Sequence, residues 1–340
     1  MSCKLVAEIS VNKLIKNAKT VFGLLDKGVL RCAVVKSNAY GHGIAHVASI
    51  LYPYCDYFAV SLLSEVEKLR ISGIDKPILV LTPPFKETVD KLVKLNAVIT
   101  ISKFSDIKLV EESAKKQSKR VGCHIAINTG MNRLGFSSLN AIVKAVNLIK
   151  NSEYLELQGA YSHFANPVDK DFTEIQFEKF LILSKPIKER NKNAILHVSA
   201  SSGLLLDKKY QLNMVRVGIL LYGYLPINAS KVKVMPIMKI KARAIMSRGK
   251  VDNEHLLYGD YLSADKRVSL LRLGYADGFL RCGFENSVNN LCMDICAVKG
   301  VKKGLVTVMD DASKLARKLK TIPYEVLVNV TKRAQIIYKD

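Results

Sequence analysis

The segment VLRCAVV at residues 29–35 is a short apolar run rich in β-branched residues, and comparable runs recur along the chain as far as residue 223. Between them lie segments whose apolar residues return every three or four positions, as in amphipathic helices. This alternation predicts a parallel sheet built from βα units. The predicted strands are VLRCAVV (29–35), YFAVS (57–61), ILVLT (78–82), VITIS (98–102), GCHIAIN (122–128), LQGAYSHF (157–164), AILHVSA (194–200) and VRVGILL (215–221).

The number and composition of these strands predict an α/β fold with an N-terminal (β/α)8 barrel of the TIM type. Eight parallel strands close such a barrel, and near-continuous apolar strands fit burial on both faces. A doubly wound open sheet is the competing fold. Neither GxGxxG nor GxxxxGK[ST], the phosphate-binding signatures of open sheets, occurs in the sequence.

The connecting segments have helical periodicity and recognisable ends. Predicted helices include SEVEKLRISG (64–73), ETVDKLVKLN (87–96), SDIKLVEESAKK (105–116) and AIVKAVNLIKN (141–151). Glycine and asparagine commonly follow the last turn of a helix, so Gly73 and Asn96 are the expected stops of the first two.

Beyond Tyr224 the pattern changes and predicts a second, smaller, mainly β domain. The strand-like segments are KIKARAIMS (239–247), RVSLLRLGYA (267–276), ICAVKG (295–300), LVTVMD (305–310) and YEVLVNV (324–330), whereas only ASKLARKL (312–319) is clearly helical. The predicted domains are therefore residues 1–230 for the barrel and residues 231–340 for the β domain.

Composition indicates a soluble, cytoplasmic protein with no bound metal. The 340 residues contain neither a membrane-spanning apolar run nor a secretory signal. The seven cysteines do not resemble a disulfide framework, and Cys292 and Cys296 lack the second ligand pair of a zinc site. The net charge of +22 is spread along amphipathic helices rather than clustered, so we expect no nucleic-acid partner.

Polar side chains follow the predicted strands at their carboxyl ends, where barrel enzymes have their active sites. Lys36 follows the first strand, residues 128–133 follow the fifth, His163 ends the sixth and residues 199–202 follow the seventh. Arg216 lies early in the eighth strand and fits the pattern less well. These residues are expected to surround one pocket.

Lys36 is unusual because it follows an apolar strand into the predicted barrel mouth. Burial disfavours the charged ammonium and lowers a lysine pKa, and the neutral amine is the nucleophile that attacks an aldehyde. Lys36 is therefore a candidate to carry pyridoxal phosphate (PLP) as a Schiff base. The alternative is a structural lysine whose amine reaches solvent at the strand end.

The string AVVKSNAYGHG (33–43) closely resembles the PLP-lysine motif of alanine racemases. Further segments resemble blocks of that family in the same order, namely MNRLGF (131–136), SHF (162–164), VRVGILLYG (215–223), LGYADGFLR (273–281), CMD (292–294) and PYEVL (323–327). The resemblance covers nearly the whole chain. It implies a PLP enzyme that interconverts L- and D-alanine, supplies D-alanine for peptidoglycan, and forms a head-to-tail homodimer.

The resemblance also implies a role for each site residue. Lys36 and Tyr275 would be the two bases that exchange the Cα proton, Lys36 on the D-face and Tyr275 on the L-face. Tyr275 and Met293 would act in the site of the partner subunit. Arg133 would contact the cofactor and the substrate carboxylate, and the Met293 backbone N–H would assist it.

The remaining implied residues hold the cofactor. Arg216 would face the pyridine nitrogen, and because arginine only donates hydrogen bonds, that nitrogen would stay unprotonated. His163 would lie beside it. The phosphate would be bound by the hydroxyl groups of Tyr40, Ser201 and Tyr324 and the backbone N–H groups of Gly218 and Ile219, with Ser199 or Ser202 as alternatives to Ser201.

The chain departs from the family pattern in two places. Ala126 stands where many members have a lysine that can be carbamylated to orient the neighbouring arginine, and Asn128 stands where an aspartate is common. Arg133 must then be positioned otherwise, by Asn128 or by a bound anion. The stretch at residues 283–290 is also shorter than usual.

Three other functions fit parts of this pattern. A serine or broad-specificity racemase would share the mechanism and differ in pocket size. A non-catalytic PLP carrier would have the lysine but lack the second domain and Tyr275. A decarboxylase of the same fold type would need a cysteine-containing motif, and neither Cys282 nor Cys292 lies in a recognisable one.

Overall fold

The computed structural model describes residues 5–227, 232–249, 255–259 and 267–340. The strands are β1 (Val6–Ser10), β2 (Leu30–Val34), β3 (Tyr57–Val60), β4 (Ile78–Val80), β5 (Val98–Ile101), β6 (Val121–Ala126), β7 (Leu155–Tyr161), β8 (Ile195–His197), β9 (Met214–Val217), β10 (Met238–Gly249), β11 (Arg267–Leu271), β12 (Ser287–Val288), β13 (Cys296–Lys299), β14 (Leu305–Met309) and β15 (Gln335–Lys339). The helical segments are α1 (Val11–Phe22), α2 (Lys36–Tyr40), α3 (Ile44–Leu51), α4 (Leu63–Ile71), α5 (Val89–Lys94), α6 (Phe104–Lys116), α7 (Leu139–Asn151), α8 (Lys170–Arg190), α9 (Ser201–Leu206), α10 (Ala312–Lys318) and α11 (Pro323–Val330).

Strands β2 to β9 form an eight-stranded parallel sheet in the order β8-β7-β6-β5-β4-β3-β2-β9. The sheet curls so that β8 and β9 meet, where Ala200 and Arg216 form a single parallel bridge and the Asn213 N–H donates to the Leu196 carbonyl. Every residue of β4 and β5 is buried, as strands covered on both faces require. The predicted (β/α)8 barrel is confirmed.

The helix stops lie where the sequence predicts them. Helix α4 ends at Ile71 and α5 ends at Lys94, each followed two residues later by a residue of positive φ. These residues are Gly73, with φ of 79°, and Asn96, with φ of 52°. Left-handed backbone at these positions turns the chain back toward the next strand.

The second sheet has seven strands among the described residues, in the order β12-β13-β11-β10-β1-β15 with β14 paired to β10. This sheet includes the unexpected strand β1, which pairs antiparallel with β10 and parallel with β15. Residues 6–10 therefore lie in the β sheet, although the sequence assigns residues 1–230 to the barrel. Both domains contain apolar strands, so the composition of residues 6–10 does not indicate to which domain they belong. The expected boundary at residues 230 and 231 lies outside the described residues.

The prediction of a strand at residues 324–330 is wrong, because this segment is helix α11. Pro323 occupies the first turn of the helix, where its missing N–H leaves no hydrogen bond unmade. Val326, Leu327 and Val330 are buried, and their spacing places them on one helical face. Packing of this face outweighs the strand preference of the valines.

Two further expectations concern membranes and cysteines. Across the described ranges, no helix combines the length and apolar character needed to span a bilayer. The six cysteines in those ranges are free thiols, and four of them are buried, namely Cys32, Cys55, Cys123 and Cys296. Cys3 lies outside the described residues.

Candidate functional site

A cavity of about 550 Å³ lies at the carboxyl ends of the barrel strands. Volumes of this size suit a small ligand or cofactor. Nine of the site residues expected from the sequence line it, namely Lys36, Tyr40, Arg133, His163, Ser201, Arg216, Gly218, Ile219 and Tyr324. The fold therefore brings together residues from six places in the sequence.

Lys36 follows β2 and points into this cavity. Its pKa is lowered, first by burial of the amine and then by the positive charge of Arg133, while Glu65 opposes the shift. Both lowering effects favour the neutral amine. The Lys36 side chain is partly buried and lines the cavity.

The turn that carries Lys36 is left-handed. Ser37, Asn38, Ala39 and Tyr40 have φ of 53–55°, a conformation that costs about 1–2 kcal/mol per residue for L-amino acids. The buried carboxylate of Glu65 helps to hold this turn, accepting a 2.5 Å hydrogen bond from the Ser37 N–H. Strain of this kind persists only where surrounding contacts fix it.

Glu65 also ties the Lys36 turn to the loop after β3. Its second carboxylate oxygen accepts from the N–H groups of Ser61 at 2.8 Å and Leu62 at 3.0 Å. Three backbone donors therefore converge on one carboxylate. The sequence gives no signal for this role, since Glu65 lies in an ordinary amphipathic helix.

We expect Glu65→Gln to lower the free energy of unfolding by about 2 kcal/mol, because the new amide group would face at least one buried backbone donor. Urea denaturation measures the change. Glu67→Gln on the same helix is the control, since Glu67 forms only a 3.7 Å ion pair with Lys91 and is partly exposed. Equal destabilisation of the two variants would contradict the role given to Glu65.

Arg216 is a buried cation that faces no carboxylate among the described residues. Its side chain donates to the carbonyls of Ser162 at 2.7 Å, His197 at 3.0 Å and Val198 at 3.2 Å. It lies 2.6 Å from His197 Nδ1. Burial lowers its pKa to about 10, so it remains charged at neutral pH. Arg216 is 3% exposed, and the alternative of a surface ion pair is excluded.

His163 lies beside Arg216 and is a neutral ring. Its Nδ1 is 3.4 Å from the Arg216 guanidinium, which can only donate. Burial and then the charge of Arg216 lower the His163 pKa to about 3. The imidazole therefore accepts at Nδ1 and carries its proton on Nε2.

One end of the cavity is lined by hydroxyl groups and by backbone that follows β9. The Gly218 N–H donates to Ser201 Oγ at 3.1 Å, which leaves the Ser201 hydroxyl proton available. A Cβ at Gly218 would come within 2.6 Å of the Tyr40 hydroxyl, so this approach needs glycine. Ser199 is not an alternative to Ser201, because it donates to the Tyr210 carbonyl.

Tyr324 reaches the same end of the cavity from helix α11 of the second domain. Its ring lies 5.8 Å from that of Tyr40, and burial raises the pKa of Tyr324 to about 12. Helix α11 can approach because Gly41 has no side chain, and a Cβ there would meet the Leu327 carbonyl at 2.6 Å. Protonated hydroxyl groups at this position can donate to an anion.

Arg133 lies on the loop after β6 and makes no hydrogen bond or ion pair with the described residues. Asn128 does not hold it. The Asn128 oxygen instead accepts from the N–H groups of Gly130 and Asn132, and its amide donates to the Asn132 side chain at 3.0 Å. Asn128 therefore shapes the loop, while Ala126 lines the cavity wall beneath it.

Tyr275 and Met293 do not line the cavity of their own chain. They lie on adjoining loops of the second domain, where the Tyr275 N–H donates to Cys292 and the Ala276 N–H donates to Met293. Tyr275 is 41% exposed and Met293 is 55% exposed. The structure thus separates these two residues from the other nine.

A network of charges fixes the two loops relative to each other. Arg333 contacts Asp294 at 3.1 Å and Asp277 at 3.5 Å, and Arg272 contacts the same two carboxylates. The Gly274 N–H donates to Asp277 at 3.0 Å. Tyr275 is therefore presented at the surface on a constrained turn.

No group of acidic, histidine and cysteine side chains in the described ranges is arranged to hold a metal ion. Residues missed in the sequence include Glu65, described above, and the buried His124 and His197. A polar residue at the end of β8 is a signal that could have identified His197. His124, in the middle of β6, offers no such signal.

The chain matches two family models, which are described as alanine racemase, N-terminal domain, over residues 9–226 and alanine racemase, C-terminal domain, over residues 237–338. It is 31% identical to alanine racemase 2 of Caldanaerobacter subterraneus subsp. tengcongensis, covering 97% of this chain and 94% of that protein. It is 32% identical to the alanine racemase of Methanococcus maripaludis, covering 98% of each.

A solved structure, the alanine racemase of Clostridium difficile 630, superposes with a TM-score of 0.93 at 29% identity. The superposition covers 100% of this chain and 96% of that one. Both domains and their order are shared along the full length. The chain therefore belongs to the alanine racemase family, a family of isomerases.

Proposed function

We propose that the protein interconverts L- and D-alanine, using PLP bound through Lys36. The observation that supports this most directly is that Lys36 shares one cavity with Arg216, His163 and a cluster of hydroxyl groups. Burial and the charge of Arg133 lower the pKa of Lys36 in this cavity. A neutral lysine amine forms a Schiff base with an aldehyde. D-alanine so produced would supply peptidoglycan synthesis.

The cavity residues fit PLP in chemistry. The hydroxyl groups of Tyr40, Ser201 and Tyr324 would bind the phosphate together with the Ile219 N–H, because hydroxyl and backbone donors suit a dianion. The Gly218 N–H, expected from the sequence to bind the phosphate, donates to Ser201 Oγ instead. The close approach of Tyr40 to Gly218 leaves no room for a side chain at that point. When bound, PLP supplies the electron sink that acidifies the Cα–H bond of an amino acid.

Arg216 would face the pyridine nitrogen as a donor. Its guanidinium is held by three carbonyls and stays charged, since its pKa remains near 10. Because it keeps its own protons, it would leave the ring nitrogen unprotonated. A weaker electron sink would limit side reactions such as transamination.

Two bases would act on opposite faces of Cα. Lys36 Nζ would take or return the proton on the D-face, and the Tyr275 hydroxyl would do so on the L-face. Arg133, which has no partner among the described side chains, is available to bind the substrate carboxylate, to which a guanidinium is well matched. The Met293 N–H would assist it.

The two-base proposal requires a head-to-tail homodimer. Tyr275 and Met293 are exposed on the second domain and absent from the cavity of their own chain. A second copy, placing its β domain over the barrel mouth, would complete each site. The proposed domains remain residues 1–230 and 231–340, apart from β1 in the second sheet.

Chiral analysis of alanine tests the proposal. Purified protein incubated with PLP should convert either enantiomer to an equal mixture, and L-serine and L-lysine compared side by side report specificity. If serine were racemised and alanine were not, serine would be the substrate instead of alanine. If the protein bound no PLP and racemised none of these three amino acids, the proposal would be refuted.

A further inference from the structure

A row of three buried side chains runs from the cavity into the barrel interior. Arg216 lies 2.6 Å from His197 Nδ1, and His197 Nε2 lies 2.8 Å from His124 Nδ1. Both histidines are 0% exposed. Only Arg216 reaches the cavity wall, so His124 is separated from any ligand by two side chains.

The positions of the protons in this row follow from the arginine. A guanidinium only donates, so His197 Nδ1 must accept. Burial and the Arg216 charge keep the pKa of both histidines low, and the rings are neutral. A neutral His197 that accepts at Nδ1 carries its proton on Nε2, which then donates to His124 Nδ1. His124 in turn carries its proton on Nε2.

The buried His124 side chain carries a free-energy cost. Its Nε2–H is buried and has no acceptor among the described residues, and buried donors are rarely left in this state. Its ring packs against Gly159 on the neighbouring strand, where a Cβ would come within 2.7 Å of His124 Cε1 and within 2.4 Å of the Ile195 carbonyl. Apolar packing alone does not explain a histidine here, since a leucine at this position would remove the unpaired Nε2–H.

We propose that His124 is a positioning residue that fixes the tautomer of His197 and thereby holds the Arg216 guanidinium in place. Without an acceptor at His124, the Nε2–H of His197 would be buried and unpaired. The other tautomer would place an N–H against an arginine N–H. Either outcome weakens the Arg216–His197 hydrogen bond. The proposal rests on the proposed function, in which Arg216 faces the cofactor nitrogen.

The tautomer itself can be measured. Histidine-selective ¹⁵N NMR on the protein without cofactor should show a pyridine-type Nδ1 and a pyrrole-type Nε2 for His197 in the wild type. His124→Leu should lose this single state. His124→Asn should keep it, because the asparagine Oδ1 takes the position of Nδ1. His46→Leu, at an exposed ring, is the matched control and should leave the His197 signals unchanged.

Kinetics and absorbance test the consequence. In the PLP-loaded enzyme, His124→Leu should shift the visible absorbance of the cofactor and lower kcat about tenfold with KM nearly unchanged, while His124→Asn stays within about threefold of wild type. A wild-type His197 protonated on Nδ1 would overturn the proposal, even if His124→Leu failed to fold. So would a His124→Leu enzyme with normal absorbance and kcat. Failure of the wild type to bind PLP would instead refute the proposed function.

Discussion

The Lys36→Ala variant is expected to lose the visible absorbance of bound PLP and at least roughly a thousandfold of racemase activity. The reason is that Lys36 supplies both the covalent link and one of the two bases. Burial and the charge of Arg133 lower its pKa, which favours the neutral amine that both roles need. Absorbance after dialysis and chiral analysis of alanine measure the two losses.

Lys103→Ala is the matched control, because Lys103 lies in the loop after β5, at the same end of the barrel, and is exposed. It should keep both the absorbance and the activity. Circular dichroism should show that both variants are folded. Retention of covalently bound PLP by Lys36→Ala would mean that another lysine carries the cofactor.

The Tyr275→Phe variant is expected to lose about a hundredfold to ten-thousandfold in kcat, the range typical of a missing acid–base group. The loss should depend on the enantiomer. In deuterated water, exchange of the Cα proton of D-alanine should continue, because Lys36 serves that face. Exchange from L-alanine should stop. Equal exchange from both enantiomers would contradict the assignment of the two faces.

Mixing the two inactive variants tests whether sites are shared between subunits. A mixed dimer of Lys36→Ala and Tyr275→Phe has one site with both native residues and one site with neither. After dissociation and reassociation, about a quarter of the wild-type activity should return, since about half of the dimers are mixed and each has one intact site. No recovery despite mixed dimers would show that Tyr275 acts within its own chain.

The barrel could be predicted because its strands are buried on both faces and stand out as apolar runs between helices. Segment 324–330 was predicted wrongly for a related reason. Its valines favour a strand, and only Pro323 indicated a helix start. The strand β1 pairs with partners far away in sequence, β10 and β15, and no local pattern carries that information.

Lys36, Arg133, His163 and Ser201 could be predicted because polar side chains at the carboxyl ends of parallel strands converge. Tyr40, Gly218, Ile219 and Tyr324 were expected only from the family resemblance, and Tyr324 lies on helix α11 of the second domain. The groups that hold the cavity residues were not predicted. Glu65 acts through backbone donors of two loops, and His124 acts through His197, so their roles depend on distances that spacing in the sequence does not encode. The suggestion that Asn128 holds Arg133 failed because its side chain contacts Asn132 instead.

The pairing of β1 limits how the protein can be divided and how its folding can be ordered. Residues 6–10 lie inside the second sheet between β10 and β15, so a fragment starting at residue 231 would lack an interior strand. During synthesis β1 emerges long before its partners, and the sheet can be completed only after β15 has been made. In sequence, the whole barrel lies between β1 and β15, and the pairing of these two strands in one sheet closes the chain around it. The two domains are not modular, and swapping the second one between relatives would require exchanging β1 with it.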